Sequence, residues 1–331
     1  MASTAVNGTS NGVSNGFHQD LKVGYIGLGH AGWPIATNLP RRGFPLVVSD
    51  ANFERAKEFA DQFHCEAAPP GSGEGFRDVD VLITMLPNGN IVRDVLLGRT
   101  GIAPSLKKGC VVVDMSSADP FNSIELAKDL EVFGLDFIDS PITQRKLHDT
   151  DVGKITIMIG AKNNEVVTRV MPVLDAVAKY RFVMGGIGSG HAMKTMNNYI
   201  MASSICALAD SFVVGTKFGL DPATMLDVLN VGTGRVFASE NTMRDEGLTR
   251  RYQSGFQLAL LVKDLGINKN LAEQMGFSTP LPALLHERLG KALKEVEPDA
   301  CHAKCLRAWE KWADITLKQS PIPTTPAIPE D

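Results

Sequence analysis

Short apolar runs alternate with stretches of helical periodicity through the first 185 residues of the chain. The runs are rich in Val, Ile and Leu and are bounded by Gly, Pro, Asp or Ser, which is typical of buried β-strands. They lie at 21–26, 45–50, 79–87, 110–117, 135–141, 154–160 and 180–185. Between them, residues 121–134 read as a helix with Asp119 as its N-cap and Pro120 as its first residue. Strands that alternate with helices predict an α/β fold with a parallel, doubly wound sheet.

The pattern becomes helical throughout from about residue 187. Residues 191–219 form a largely apolar run that ends at Gly219, and Asp221 is the predicted N-cap of the next helix. Further breaks are expected near Gly232, Gly255 and Pro280. A helix that is apolar on several faces must be covered by other helices or by a second subunit. The sequence therefore predicts an all-helical second domain and a homodimer or higher homo-oligomer.

Both ends of the chain differ from the part between them. Residues 1–20 are dominated by Ser, Asn, Gly and Thr, and residues 318–331 are rich in proline, so both are expected to be disordered tails. The predicted domains are 21–186 and 187–317. Residues 1–20 contain neither Lys nor Arg and no apolar stretch, so neither a mitochondrial presequence nor a secretory signal is expected. A cytoplasmic protein is the expectation.

Composition excludes several classes of function. The chain of 331 residues carries 33 basic and 37 acidic side chains, a balance that argues against a general nucleic-acid binder. No uninterrupted run of about 18 apolar residues is present, so a membrane span is not expected. Five scattered cysteines indicate a reducing compartment rather than a disulfide framework. Cys301, His302 and Cys305 admit a zinc-site interpretation, but no second ligand pair stands at metal spacing, and ordinary helix residues are favoured.

A glycine-rich turn follows the first predicted strand. It reads Gly27-Leu28-Gly29-His30-Ala31-Gly32 and leads into a helical pattern and then a second strand that ends at Asp50. This GxGxxG in a βαβ unit is typical of dinucleotide binding. Gly27 permits the tight turn, Gly29 lets the backbone approach a pyrophosphate, and Gly32 lets helix and strand pack. Free N–H groups at the helix N-terminus favour the phosphates.

The acidic residue at the end of the second strand bears on the choice of cofactor. Asp50 lies where a carboxylate can bind the hydroxyls of an adenosine ribose, and it would repel a 2′-phosphate. NAD is therefore favoured over NADP. The alternative is that Arg55 reaches the 2′-phosphate and allows NADP.

Several residues fall where a ligand is expected. The carboxyl ends of parallel strands bind ligands, and Leu86, Pro87, Ser117 and the segment 139–145 lie at such ends. Lys194 and Asn198 are four residues apart and share one helix face among apolar neighbours, which indicates either a function or a lysine that extends to solvent. The pair Lys263-Asp264 stands in another apolar stretch, and a helix-surface ion pair is its alternative interpretation.

Six segments, in this order and spacing, resemble the β-hydroxyacid dehydrogenase family. They are GLGHAGWPIATNL, TMLPNG, VVDMSS, DSPIT, GSGHAMKTMNN and LVKDLGIN, and the resemblance covers roughly residues 21–295. It implies a Rossmann-type domain followed by a helical domain, and an NAD-dependent oxidoreductase that acts on a small 3-hydroxy acid or its semialdehyde. It also implies that Lys194 is the catalytic lysine and that Asn198 orients the substrate. Leu86, Pro87 and Ser117 would contact the cofactor, and Lys263 would reach the nicotinamide side of the cleft.

The implied chemistry is physically coherent. Oxidation of a hydroxy acid requires removal of the hydroxyl proton while hydride leaves the carbon. A lysine that is screened from water has its neutral form favoured and can act as the base, and its ammonium can donate in the reverse direction.

One segment departs from the family pattern. The resemblance implies a Ser-Gly-Gly turn that binds the substrate carboxylate, whereas this chain has Thr143, Gln144 and Arg145. Thr143 can supply the hydroxyl. Arg145 either clamps the carboxylate, belongs to a pocket rebuilt for another substrate, or points to solvent. Phe237 stands where the family often has tryptophan, which keeps an aromatic wall.

Two other functions remain open at this stage. One is an imine or other carbonyl reductase with a pocket rebuilt around 143–145. The other is a non-catalytic dinucleotide-binding scaffold. Relatives of both kinds usually lack the lysine that is retained here as Lys194.

Overall fold

One nine-stranded sheet organises the first part of the computed structural model, which describes residues 21–144, 155–277 and 279–317. The first six strands pair in parallel in the order β3-β2-β1-β4-β5-β6. They are β1 (Val23–Ile26), β2 (Leu46–Ser49), β3 (Glu66–Ala67), β4 (Val81–Thr84), β5 (Val111–Asp114) and β6 (Asp136–Asp139). The predicted parallel, doubly wound sheet is confirmed for these strands.

The chain reverses direction between β7 and β8. Strand β7 (Ile142–Gln144) pairs antiparallel with β8 (Ile155–Ala161), which also pairs antiparallel with the end of β6. Strand β9 (Tyr180–Gly185) then pairs in parallel with β8. Residues 145–154 are too few for a crossover connection, which needs a dozen or more residues, so the chain returns as a neighbouring antiparallel strand. The strand predicted at 154–160 therefore exists, but it runs opposite to its neighbour β6.

Helices cover both faces of the sheet. They are α1 (Gly32–Ala36), α2 (Asn38–Arg41), α3 (Phe53–Phe63), α4 (Gly89–Leu97), α5 (Pro120–Glu131) and α6 (Asn164–Val177). Val23 and Tyr25 of β1 lie in one buried apolar cluster and Ile26 in another, so the sheet has a core on each side. Pro40 has no N–H to donate to the turn that precedes it, which accounts for the interruption between α1 and α2.

The second part of the described chain is helical. Its helices are α7 (Ser189–Phe218), α8 (Pro222–Val231), α9 (Leu258–Gln274), α10 (Pro280–Leu293) and α11 (Leu306–Ala313), with a π-helix at Ala238–Gly247. The central helix α7 packs against α9, and Ala202, Phe212, Leu265, Leu289 and Trp309 belong to one buried core.

The predicted helix end at Gly219 and the predicted N-caps Asp221 and Asp119 are confirmed. Gly219 ends α7 with a φ of +105°. Asp221 caps α8 by accepting a 2.9 Å hydrogen bond from the Thr224 N–H, and Asp119 caps α5 in the same way.

Helix α7 is unusual for its length and apolar composition. Within the described residues it is the one helix that is long and apolar enough to cross a membrane by these two criteria. Its residues Ala202, Ile205 and Phe212 are buried in the helical core, which is the environment of a central helix in a helical domain.

Candidate active site

A cleft separates the carboxyl ends of the parallel strands from helices α7 and α9. It contains a cavity of about 1880 Å³, lined from both sides. Pockets for small ligands measure about 300–1,000 Å³, so this cavity has room for an extended ligand and a second, smaller molecule. The sequence-predicted residues that line it are Gly27, Gly29, His30, Ala31, Gly32, Asp50, Leu86, Pro87, Ser117, Thr143, Lys194, Asn198 and Lys263.

The glycine-rich turn has the geometry that its sequence predicts. Gly27 has a φ of +104°, and a Cβ placed on it would lie 2.3 Å from the Met85 carbonyl oxygen. A Cβ on Gly32 would lie 1.9 Å from the Gly27 carbonyl oxygen. Only glycine fits at these two positions, because Gly27 has a left-handed backbone and Gly32 lies in close contact with the backbone of Gly27.

The tip of this turn is open. A Cβ on Gly29 would meet no atom within 4 Å. The N–H groups of Gly29, His30 and Ala31 donate no hydrogen bond to the described part of the chain. Unpaired N–H groups beside open space fit the phosphates of a dinucleotide.

Asp50 lies beside the turn, at the end of β2. Its Oδ2 accepts a 2.7 Å hydrogen bond from the Leu28 N–H, and its Oδ1 accepts one of 2.9 Å from the Asn52 N–H. The carboxylate is half-buried and lines the cavity. Arg55, the residue that could favour a 2′-phosphate, places its guanidinium 5.7 Å from the centre of the Trp33 ring.

Lys263 connects the two sides of the cleft. From α9, its Nζ donates hydrogen bonds to the carbonyl oxygens of Pro87 at 3.1 Å and Ser117 at 2.9 Å. These carbonyls follow β4 and β5. Nearby, the Leu86 N–H donates to Ser116 Oγ at 2.9 Å. The structure therefore brings Lys263 together with the strand-end residues that were predicted to contact the cofactor.

Lys194 and Asn198 lie on the face of α7 that lines the cavity, as their spacing predicts. Asn198 is buried, and its Nδ2 donates a 2.6 Å hydrogen bond to Asp264 Oδ2. Thr195 donates to the Asp264 carbonyl oxygen at 2.8 Å. Lys194 is half-buried, and its ammonium makes no hydrogen bond or ion pair with the described residues. A lysine in this position is available to a ligand.

The charges around Lys194 act in opposite directions. Burial lowers the pKa of Lys194 below its ordinary value, the Asp264 carboxylate opposes this shift, and the Lys263 ammonium adds to it. Asp264 is buried, and its Oδ1 lies 3.2 Å from the Lys263 ammonium, so the pair is not a helix-surface ion pair. The net lowering enriches the neutral amine, the form that accepts a proton.

The structure describes part of the segment 143–145, in which the sequence departs from the family's Ser-Gly-Gly turn. Thr143 lies in β7 opposite Thr156 of β8, and both residues line the cavity. The backbone of Gln144 pairs with Ile155. The side chain of Gln144 and the whole of Arg145 lie outside the described residues. At Thr143 and Gln144 the chain is therefore a paired strand and not a turn.

Several residues of the site were not singled out from the sequence. Asp264 was noted only as the partner of Lys263, yet it also fixes Asn198. Asn197 donates to Asn198 Oδ1 at 3.1 Å. Asp139 belongs to the segment 139–145 that was predicted to lie at a strand end, but no role of its own was predicted for it, and His191 was not singled out within GSGHAMKTMNN. Phe237 lines the cavity as the predicted aromatic wall.

The cluster of Cys301, His302 and Cys305 holds its histidine ring through contacts with other protein groups. The His302 ring Nδ1 lies 3.0 Å from Ser254 Oγ and 3.2 Å from the Phe256 carbonyl oxygen, so the ring is held by protein groups. In the part of the chain that the structure describes, no three His, Cys, Asp or Glu side chains could together hold a metal ion, and Cys301 and Cys305 are free thiols.

Two sequence families match the chain. The NAD binding domain of 6-phosphogluconate dehydrogenase matches residues 22–186. The family described as NAD-binding of NADP-dependent 3-hydroxyisobutyrate dehydrogenase matches residues 188–309. Together they span the sheet and most of the helical part.

Relatives match over most of their own length. The 2-(hydroxymethyl)glutarate dehydrogenase of Eubacterium barkeri is 29% identical over 301 residues, which cover 90% of this chain and 98% of the relative. The mitochondrial 3-hydroxyisobutyrate dehydrogenase of Mus musculus is 34% identical over 269 residues, 80% of this chain and 78% of the relative. A solved structure of the Mycobacterium tuberculosis 3-hydroxyisobutyrate dehydrogenase with L-serine superposes with a TM-score of 0.78 at 24% identity, covering 87% of this chain and 98% of that one. The last likeness shows the fold.

Proposed function

Since the chain belongs to the β-hydroxyacid dehydrogenase family and is an NAD(P)-dependent oxidoreductase acting on CH–OH groups, we propose that it oxidises a small 3-hydroxy acid or reduces the corresponding semialdehyde, with Lys194 as general acid/base. The observation that carries this proposal is the ammonium of Lys194, which is half-buried in the cleft and without a partner among the described residues. When bound, the nicotinamide ring supplies the hydride chemistry.

Lys194 accepts or donates the proton of the substrate hydroxyl group. Because burial lowers its pKa, its neutral amine can accept the hydroxyl proton during oxidation at a pH below the ordinary lysine range. During reduction, its ammonium donates a proton to the oxygen of the substrate carbonyl. Asn198 is held by Asp264 at 2.6 Å and therefore presents its remaining amide groups in a fixed orientation.

The carboxylate of the proposed substrate requires hydrogen-bond donors. Ser117 and Thr143 line the same cavity and each offers a hydroxyl. We propose that they bind the carboxylate, together with Gln144 and Arg145. A Thr143→Val variant is expected to raise KM for the acid with a smaller effect on kcat, because the lost hydrogen bond is made in both ground and transition states.

We also propose NAD as the preferred cofactor. Two backbone N–H groups hold the Asp50 carboxylate beside the glycine-rich turn, where it would repel a 2′-phosphate. Fluorescence titration should give a lower Kd for NADH than for NADPH. Asp50→Ser should bring the two Kd values closer together, mainly by lowering the Kd of NADPH. Equal affinities in the unchanged protein would contradict the proposal.

The main test is turnover. Purified protein is mixed with NADH or NADPH and a panel of semialdehydes and 2-oxo acids, and with NAD and the matching hydroxy acids in reverse. A lysine-dependent reaction is expected, with Lys194→Ala reducing kcat at least 100-fold. The control is Lys217→Ala, near the other end of α7. Full activity in Lys194→Ala on a proven substrate would refute the acid/base role.

The strand at Thr143 and Gln144 favours a second candidate, which is reduction of imines or bulkier carbonyls. A paired β7 replaces the glycine turn that the family uses for a carboxylate. Cofactor oxidation that requires both an amine and a ketone would support this candidate, and the absence of such a reaction across a series of amines would count against it.

We propose that the partner of the helical part is a second copy of the chain. Helices α7 and α8 carry apolar side chains that are more than 60% exposed: Ile200, Val214, Phe218, Val228 and Val231. Exposed apolar surface of this kind is typical of an interface. Sedimentation equilibrium should give at least twice the mass of one chain, and Phe218→Asp with Val231→Asp should lower that mass.

A reducing compartment, the cytoplasm, is proposed as the location. All five cysteines lie in the described chain and carry free thiols. Fractionation of cells that produce the tagged protein should place it with cytosolic markers.

A further inference from the structure

Three buried polar side chains meet at the start of α7, next to the proposed active site but outside it. Asp114 ends β5, Asp139 ends β6, and His191 lies in the first turn of α7, and each is at most 1% exposed. The His191 ring lies 3.8 Å from the Asp114 carboxylate and 3.9 Å from that of Asp139. Burying polar groups is unfavourable unless they are hydrogen-bonded, so their contacts indicate what they do.

Asp139 caps α7 from another element. Its Oδ1 accepts a 2.7 Å hydrogen bond from the Gly188 N–H, and its Oδ2 accepts one of 2.8 Å from the His191 N–H. The residue at the N-cap position of α7 is Gly188, which has no side chain to perform this function. A carboxylate at this point also interacts favourably with the positive end of the helix dipole.

The start of α7 touches the sheet backbone directly. A Cβ on Gly190 would lie 2.2 Å from the Met158 carbonyl oxygen, and a Cβ on Gly160 would lie 2.3 Å from Asp139 Oδ1. Glycine at both positions lets the helix and the strands approach closely. The first turn of α7 therefore has no room to move toward the sheet.

The His191 ring ties this turn to two further elements. Its Nε2 donates to the Ser116 carbonyl oxygen at 3.1 Å, and its Nδ1 lies 2.8 Å from Ser123 Oγ on α5. A carbonyl oxygen can only accept, so Nε2 carries the proton in either charge state of the ring. Ser116 precedes Ser117, whose carbonyl accepts from Lys263. The ring thus joins the helix of the proposed catalytic lysine to a strand end that lines the cofactor side of the cleft.

We propose that Asp139 and His191 are positioning residues, which fix the start of α7 and thereby Lys194 against the carboxyl ends of β5 and β6. The inference rests on the proposed acid/base role of Lys194. The distance is short, since three residues of α-helix separate His191 from Lys194 by roughly 4.5 Å along the axis. The ammonium of Lys194 has no partner of its own among the described residues, so the backbone of α7 determines where it lies.

The first experiment compares three variants in steady-state kinetics. His191→Leu removes both ring contacts, whereas His191→Gln keeps one donor and one acceptor. Ile205→Ala is the matched control, because Ile205 is fully buried in the helical core on the same helix and is not one of the described residues that line the cavity. A misplacement of 1 Å can reduce a rate about 100-fold, so His191→Leu should lower kcat by 10- to 100-fold with KM changed less than threefold. His191→Gln should stay within threefold of the parent, and Ile205→Ala should lose thermal stability but keep its kcat.

The second experiment does not require a substrate. Trace acetylation with acetic anhydride, followed by peptide mass spectrometry across a pH series, reports the exposure and the pKa of the Lys194 amine. In the parent, Asp264 and Lys263 on α9 are the charged groups that act on this amine. In His191→Leu, Lys194 should react at least threefold faster at full deprotonation, and its pKa should move toward the ordinary lysine value. His191→Gln and Ile205→Ala should match the parent.

The two readouts separate the two proposals. A folded His191→Leu variant with the kcat of the parent, or with parental labelling of Lys194, would overturn the positioning role. Changed labelling of Lys194 in His191→Leu, in a protein that turns over no hydroxy acid or semialdehyde, would support the positioning role and refute the proposed function.

Discussion

Replacing Gly29 by alanine tests whether the glycine-rich turn holds a dinucleotide. The new methyl group meets no protein atom within 4 Å, and the backbone of Gly29 is not in the left-handed region. The fold should therefore accept the change. The methyl group would stand beside the N–H groups of residues 29–31, which donate to nothing in the described chain. It would keep a pyrophosphate from reaching them.

The size of the effect follows from the hydrogen bonds lost. A hydrogen bond to a charged group contributes about 1.5–3 kcal/mol. Each 1.4 kcal/mol changes a dissociation constant tenfold, so the loss of one such bond should raise the Kd of NADH by about 10- to 150-fold. The free energy of unfolding should change by less than about 1 kcal/mol, since the site is exposed and has no neighbours.

Gly32→Ala is the matched control at the same turn. Its methyl group would lie 1.9 Å from the Gly27 carbonyl oxygen, so the helix must shift by more than about 1 Å. Overpacking of this kind costs about 1–3 kcal/mol, which lowers Tm by about 2–12 °C in a domain of this size. Titration of NADH fluorescence gives Kd, and thermal unfolding gives Tm. Parental affinity for NADH in a folded Gly29→Ala protein would refute the placement of the pyrophosphate on this turn.

Three further predictions concern the lysines of the cleft. The kcat for oxidation should rise with pH through a pKa below the ordinary lysine value, and the kcat for reduction should fall through the same pKa, because burial favours the neutral amine of Lys194. Stopped-flow measurements of kcat against pH in both directions test this. Profiles that rise or fall together in the two directions would contradict it. Lys194→Met should abolish turnover and raise the free energy of unfolding at pH 7, because the unfolded chain binds the lysine proton more tightly than the folded protein does. The gain should vanish as the pH rises through about 10.4, where the unfolded lysine loses its proton, and urea unfolding at pH 7 and pH 10.5 measures it. Lys263→Met removes the hydrogen bonds to Pro87 and Ser117, so X-ray scattering should show a larger radius of gyration than for Lys269→Met. Lys269 is a half-exposed lysine whose ion-pair partner in the described part of the chain is Glu273 on the same helix. Equal radii would show that Lys263 does not hold the cleft closed.

The parts of the fold that the sequence predicts are those with local causes. The glycine spacing at 27–32, the strand before it and the acid at Asp50 are properties of one short βαβ segment. Likewise, the N-caps Asp119 and Asp221 act on their own helices. In each case, the physics that determines the structure lies within about 25 residues of the chain.

What the sequence does not predict depends on contacts between distant residues. The direction of β8 is set by the short connection 145–154 and by its antiparallel partners β6 and β7. The apolar pattern of β8 itself contains no trace of these partners. The bond between Asn198 and Asp264 joins residues 66 positions apart. Likewise, the interaction of Asp139 with the start of α7 spans about 50 residues, and polar residues next to a strand end give no indication of their partner.

The capping of α7 by Asp139 has a consequence for how the protein is made. A ribosome releases Asp139 and the sheet strands before it releases the helix that this carboxylate caps, so the sheet can be ready to receive α7 as the helix emerges. A fragment that begins near residue 187 would lack its capping carboxylate and the strand backbone that Gly190 touches. A circular permutant that begins at α7 would synthesise the receiving surface last. During synthesis, such a permutant should reach its native state more slowly than the chain in its natural order, although every native contact is retained.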